Sequence, residues 1–178
     1  MALLTLSVSP GAFPAAHSLA LVRAFLRELS AERTDAASLL GRVNAAISRT
    51  AVSGVESPAD CALIALGGAE VGWLGAGAVH GGVLRRDGTM EPFPSGGPPL
   101  GVMDGFRYAP VRVSLRTGDV IVALSQGAKG LFKGAADVVA ELHGKPAGEI
   151  VTKLQAALDR AAGEQSSTEH SVLFVRKS

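Results

Sequence analysis

A chain of 178 residues with 47% apolar and 19% charged residues can bury one sizeable core, which excludes an intrinsically disordered chain. Lysine plus arginine (17) against aspartate plus glutamate (16) leaves a formal charge of +1, so no net field selects nucleic acid or an anionic membrane. The single cysteine, Cys61, excludes an internal disulfide and a cysteine-based zinc cage, no apolar run reaches membrane-spanning length, and the start MALLTLSVSPGAF lacks a charged signal-peptide n-region, so the expected location is the cytoplasm.

Residues 2–8 predict a short apolar strand, closed by the turn signal at 9–14. A helix is expected over 14–29. Leu19, Val22, Phe25, Leu26 and Leu29 recur there at helical spacing, Arg23, Arg27 and Glu28 lie off that stripe, and Pro14 suits a first turn. Thr34-Asp35 offers an N-cap to a second helix, whose buried stripe is Leu39, Leu40, Val43, Ala46 and Ile47. Residues 51–59 read as loop, 60–66 as a strand, Gly67-Gly68 as a hairpin turn and 70–74 as the return strand. The glycine-rich run 75–82 leads to a strand at 83–85.

Arg86-Asp87-Gly88-Thr89 turns, because an Asp-Gly pair tolerates positive φ. The glycines and prolines from Ser95 to Gly101 exclude a helix. Residues 108–115 alternate as a half-buried strand, with Val111, Val113 and Leu115 on one face and Arg112, Ser114 and Arg116 on the other. Thr117-Gly118-Asp119 turns again, and the apolar run 120–124 predicts a fully buried strand. A short helix over 130–144 buries Val138, Val139 and Leu142. A clearer one over 146–162 places Ile150, Val151, Leu154, Ala157 and Leu158 on one face, and a strand at 171–175 closes the chain. This order of elements is that of an α+β layered domain, one domain over 1–178.

Several turn signals recur in one order: Arg85-Arg86-Asp87-Gly88, then Pro94 to Gly101 reading P-S-G-G-P-P-L-G, then Gly118-Asp119-Val120-Ile121-Val122, then Ser125-Gln126-Gly127. In that order they resemble the C-terminal half of SpoIIE/RsbU-like PPM phosphatases, the metal-dependent serine/threonine phosphatases of bacterial signalling. The resemblance extends from Leu4 to Arg176 and implies a β-sandwich flanked by helix pairs. The family's usual N-terminal strand pair, with its acidic G-D-x-x-D motif, is expected to be lacking, since the chain begins after that point. An open sheet edge would then be available to a second copy of the chain, a homodimer.

The chemistry that the resemblance implies needs two metal ions held by carboxylates, because Mn²⁺ and Mg²⁺ prefer hard, charged oxygen donors. The bridging aspartate of the family's first motif is matched here by Ser7. The second motif reads Gly75-Ala76-Gly77-Ala78, with Ala78 at the histidine. The aspartate of T-D-G is matched by Gln126. The D-D pair before the last strand is matched by Thr168 and Glu169, of which only Glu169 keeps a carboxylate. The resemblance therefore implies that Ser7, Gln126, Thr168 and Glu169 are the degenerate metal-site positions, with no catalytic residue and no cofactor expected.

Other metal and nucleophile readings are weaker. Glu169 and His170 would point to opposite faces of a strand, and His17, His80 and His143 are read as exposed or hydrogen-bonded side chains. Cys61 reads as a small buried hydrophobe, and no base accompanies Ser7 or Ser125 in the local sequence. The expectation is a pseudophosphatase that binds a protein partner, a STAS-type or another signalling protein, with no nucleic acid and no membrane. The alternatives are a divergent metal-dependent protein serine/threonine phosphatase using Glu169 with Mn or Mg, and a structural subunit that pairs through its sheet edge.

Overall fold

The computed structural model describes residues 12–29, 35–50, 58–67, 70–125, 141, 145–162 and 172–176. The first helix, α1 (Ala12–Leu29), starts inside the segment expected to turn. Pro14 then sits in the first helical turn, where amide groups have no intrahelical acceptor, so its missing N–H removes no bond. Val22 and Leu26, a turn apart, are fully buried, with Phe25 and Leu29 packed beside them. Helix α2 (Ala36–Thr50) is capped as its sequence predicts. Asp35 Oδ1 accepts the amides of Ala37 and Ser38, each at 3.0 Å, and Oδ2 accepts the Ser38 hydroxyl at 2.6 Å. Leu39, Leu40, Val43 and Ile47 are buried and Ala46 is half-buried.

Chain contacts divide the protein into two compact units, one of Met1–Val79 with Pro94–Ser114 and the other of His80–Phe93 with Leu115–Ser178. In the first, β1 (Cys61–Gly67) and β2 (Glu70–Ala76) pair antiparallel, and β5 (Val111–Ser114) joins the far edge of β2. The buried faces of α1 and α2 share one core with Cys61, Leu63, Leu74, Ala76, Leu100 and Tyr108. β5 is shorter than the alternation at 108–115 predicts. Pro110 has no N–H to give a ladder, so the strand starts after it.

In the second unit, β3 (His80–Leu84), β4 (Met90–Pro92), β6 (Val120–Leu124) and β7 (Val172–Arg176) form an antiparallel sheet in the order β4-β3-β6-β7. All five residues of β6 are buried, as its unbroken apolar run predicts. β3 begins at His80, earlier than expected, and takes in Gly81 and Gly82. At Gly82 a Cβ would lie 2.6 Å from the Glu91 carbonyl oxygen, so glycine is what admits β4 there. β4 itself escaped the sequence reading: it is short, and it ends in Pro92, which a sheet tolerates at an edge. Helix α3 (Ala147–Ala162) follows Pro146, whose carbonyl accepts the amides of Glu149 at 3.0 Å and Ile150 at 3.4 Å. Ile150 is buried, but Val151, assigned to the same stripe, is 56% exposed. Successive helical residues point about 100° apart, and in α3 the buried stripe takes in Ile150 and leaves Val151 outside it. The strand expected at 2–8 and, apart from Glu141, the helix expected at 130–144 lie outside the described residues.

Candidate functional site

The sheet of the second unit brings three strands to one terminal row. His80 of β3 pairs with Leu124 of β6, and Leu124 pairs with Val172 of β7. The pairings put these three positions in one row across the sheet, and buried Ser125 follows at the end of β6. The chain leaves β6 and enters β7 at this row. Gln126 comes two positions after Leu124, and Thr168 and Glu169 come shortly before Val172. Those three residues and Ser7 lie outside the described residues.

Among the described residues no three His, Cys, Asp or Glu side chains converge where a metal ion could be held. The positions that the resemblance names carry two hydroxyls, an amide and the single carboxylate of Glu169. His80 departs from its expected role. It is half-buried, and its Nε2 is enclosed without a hydrogen-bond partner.

Asp119 of the Gly118-Asp119 turn is the one buried acid among the described residues, and it ties two turns together. Its Oδ2 accepts the Arg85 guanidinium at 2.8 Å and the Arg116 amide at 2.9 Å, while Oδ1 accepts the Arg86 amide at 3.3 Å. Burial pushes its carboxyl up. The Arg116 amide, the Arg85 guanidinium and the Arg86 amide together outweigh that, and the carboxyl sits below its usual range. Arg85 also pairs with Glu91, whose hydrogen bond is the first of the effects raising the guanidinium. Two of the motifs that carried the resemblance, R-x-D-G and G-D, are thus the two ends of one structural clamp.

The P-x-x-G-x-P-L-G loop does its structural work in the first unit. Gly97 donates its amide to Gly75 O at 2.9 Å and accepts from Gly77 N at 2.9 Å, forming a parallel bridge opposite Ala76. A Cβ on Gly96 would lie 2.2 Å from Gly75 O, so this approach needs glycine. Further on, buried Asn44 of α2 holds the loop from both sides. Its amide donates to Met103 O at 2.8 Å, and its Oδ1 accepts the Gly101 amide at 2.9 Å. Tyr108 donates its hydroxyl to Pro98 O at 3.0 Å and meets Phe106 edge-on at 4.9 Å between ring centroids. Burial pushes the Tyr108 phenol up to about 12. Burial, with Asp60 adding to it, pushes the Cys61 thiol up to about 12 as well, which leaves it protonated and inert, as its apolar strand predicts.

The family model for stage II sporulation protein E matches residues 12–177. The chain belongs to the SpoIIE family. No curated protein matches the sequence. Among solved structures, the SiaA-PP2C domain of Pseudomonas aeruginosa superposes with a TM-score of 0.79 at 19% identity, covering 98% of this chain and 74% of that one. The Mycobacterium tuberculosis serine/threonine phosphatase PstP/Ppp gives 0.72 at 17% identity, covering 99% and 88%. The PP2C phosphatase domain of the cell fate determinant SpoIIE from Bacillus subtilis, solved with a fragment of its regulatory domain, gives 0.68 at 19% identity, covering 97% and 52%.

These likenesses establish the fold, an α+β arrangement of the PP2C type with helices and antiparallel sheets, as the sequence reading expected. Sequence reasoning missed Asn44 and the Asp119 clamp. An asparagine amid an apolar helical stripe was the available signal for the first. The clamp had none beyond its two turn motifs, because only the pairing of β3 with β6 brings them together.

Proposed function

We propose that this SpoIIE-family chain acts in bacterial signalling as one domain over 1–178 that binds a protein partner in the cytoplasm and has no phosphatase chemistry of its own. The observation that carries this is the set Ser7, Gln126 and Thr168, three neutral side chains at the positions where the family resemblance calls for carboxylates. One such change could tune an enzyme. Three, at separate points of the chain, leave no cage of charges to offset the dehydration of a pair of Mn²⁺ or Mg²⁺ ions. The common end of β6 and β7 supports treating two of these positions together. Among the described residues no helix is long and apolar enough to cross a membrane. A STAS-type signalling protein is the partner class that the resemblance implies.

Glu169 supports a second reading, a divergent metal-dependent protein serine/threonine phosphatase, because it alone of the four positions keeps a carboxylate. The two separate in one assay. With Mn²⁺ present, hydrolysis of an aryl phosphate and of a phosphoserine peptide is expected to equal the buffer rate, and calorimetry is expected to give no stoichiometric Mn²⁺ site of micromolar affinity. Activity that disappears in Glu169→Gln would establish the enzyme instead. A homodimer built along an open sheet edge is tested by the mass of the chain in solution.

A further inference from the structure

We infer that the cleft beside the start of β5 is a docking pocket for one ring-bearing side chain of a protein partner, flanked in that partner by acidic residues. β5 covers the edge of β2 from Glu70 to Trp73, and the loop at Gly97 covers it at Ala76. Between these two coverings opens a cleft of about 230 Å³, lined by Trp73, Gly96, Phe106, Arg107, Tyr108 and Val111 among others. The chain has one tryptophan and one tyrosine, and both stand in this wall.

The wall is formed in advance. Trp73 and Tyr108 are nearly buried, the Tyr108 hydroxyl is fixed on Pro98 O, and Phe106 packs edge-on against its ring. A preformed wall of this kind saves the ordering entropy that binding otherwise loses. The volume falls below the roughly 300–1,000 Å³ of small-molecule sites and suits a single anchoring side chain of the kind that dominates protein interfaces. Apolar rings around the cleft select an apolar ring within it.

Charge selects the flanks. Arg107 is the one charged residue in the lining, it is exposed, and it makes no ion pair among the described residues. An acidic residue beside the anchor would complete it. This inference rests on the proposed function only in taking a protein as the occupant.

Trp73, the single tryptophan, is the reporter. The full chain is titrated with acetyl-Asp-Phe-Asp-amide while tryptophan emission is followed at an excitation that leaves Tyr108 silent. A saturable change is expected, with acetyl-Asp-Ala-Asp-amide and acetyl-Lys-Phe-Lys-amide binding at least about tenfold more weakly. Arg107→Glu, a change at an exposed side chain, is expected to keep the melting temperature and to reverse the order of the Asp and Lys peptides. No saturable change with the first peptide, equal affinity for all three, or an unaltered order in Arg107→Glu would each overturn the pocket. No metal or phosphoryl substrate enters this titration. A negative result therefore leaves the reading of lost phosphatase chemistry standing, and Mn²⁺-dependent hydrolysis would leave the pocket standing.

Discussion

Asn44 has no exposed surface, yet both ends of its amide are bonded, one to Met103 O and the other to Gly101 N. Truncating it removes two hydrogen bonds and leaves a backbone amide and a carbonyl without their partner, at about 1–3 kcal/mol for such a loss. Asn44→Ala is therefore expected to destabilise the fold by about 2 kcal/mol in urea denaturation. A shift within about 0.5 kcal/mol, the range of an ordinary surface substitution, would show that the loop does not depend on this side chain. Asp119 makes a prediction in pH. Its folded carboxyl lies below the ordinary value near about 3.9, so its stabilisation is present above that pH and is lost as pH falls through the folded value. Asp35, Asp87 and Glu91 move the same way but are exposed to solvent, where such shifts carry little stability. The expected result is that Asp119→Asn lowers the denaturation midpoint at neutral pH and flattens its fall below about pH 4. A variant whose midpoint tracks the parent's across that range would remove Asp119 from the acid response.

Legibility in the sequence differs from element to element, and for local reasons. The stripe of α2 and its Asp35 cap were readable because helical period and cap chemistry are both local. β6 was readable because a strand buried on both faces is apolar throughout. The start of β3 was not, since Gly81 and Gly82 look like a loop until β4 is seen pressed against them. Val151 misled because apolar residues next to each other in a helix can both be buried, as Leu39 and Leu40 are, or be split by the edge of the stripe, as Ile150 and Val151 are. The site divides the same way. Ser7, Gln126, Thr168 and Glu169 were named from motif order alone, whereas the aromatic cleft needed the register of β2 against β5, which no local pattern encodes. The cap gives this scale its own test. Asp35→Ala leaves the first amides of α2 without their acceptor and is expected to lower the midpoint of chemical denaturation, while Asp35→Ser should recover most of it. If Ser fared no better than Ala, the hydrogen bonds to Ala37 and Ser38 would not be the source of the effect.

For the molecule as a whole, the proposal separates what the fold requires from what the chemistry required. The turns around Gly97, Gly101 and Gly118 are retained where the backbone demands them: Gly101 and Gly118 hold φ of 87° and 92°, and a Cβ on Gly97 would lie 2.3 Å from the Phe106 ring. Carboxylates carry no such demand. Gathered without a metal they would repel one another and raise each other's pKa values, so under the proposed function Ser, Gln and Thr cost an empty site less than three carboxylates would. The reversal is direct. Ser7→Asp, Gln126→Asp and Thr168→Asp are built together and thermal unfolding is followed with and without Mn²⁺. If the three positions form one cluster, the triple variant melts below the parent in the absence of metal and recovers when Mn²⁺ is added, because an ion that binds only the folded state stabilises it in proportion to the logarithm of its concentration over its dissociation constant. The parent should ignore Mn²⁺ throughout. Three single variants bound the result: each alone lacks the neighbours that create the repulsion, so their separate effects should sum to less than the triple loss. A triple variant that melts unchanged and ignores Mn²⁺ would place the three positions apart, and with them would go the argument that this SpoIIE-family chain lost its phosphatase chemistry at those residues.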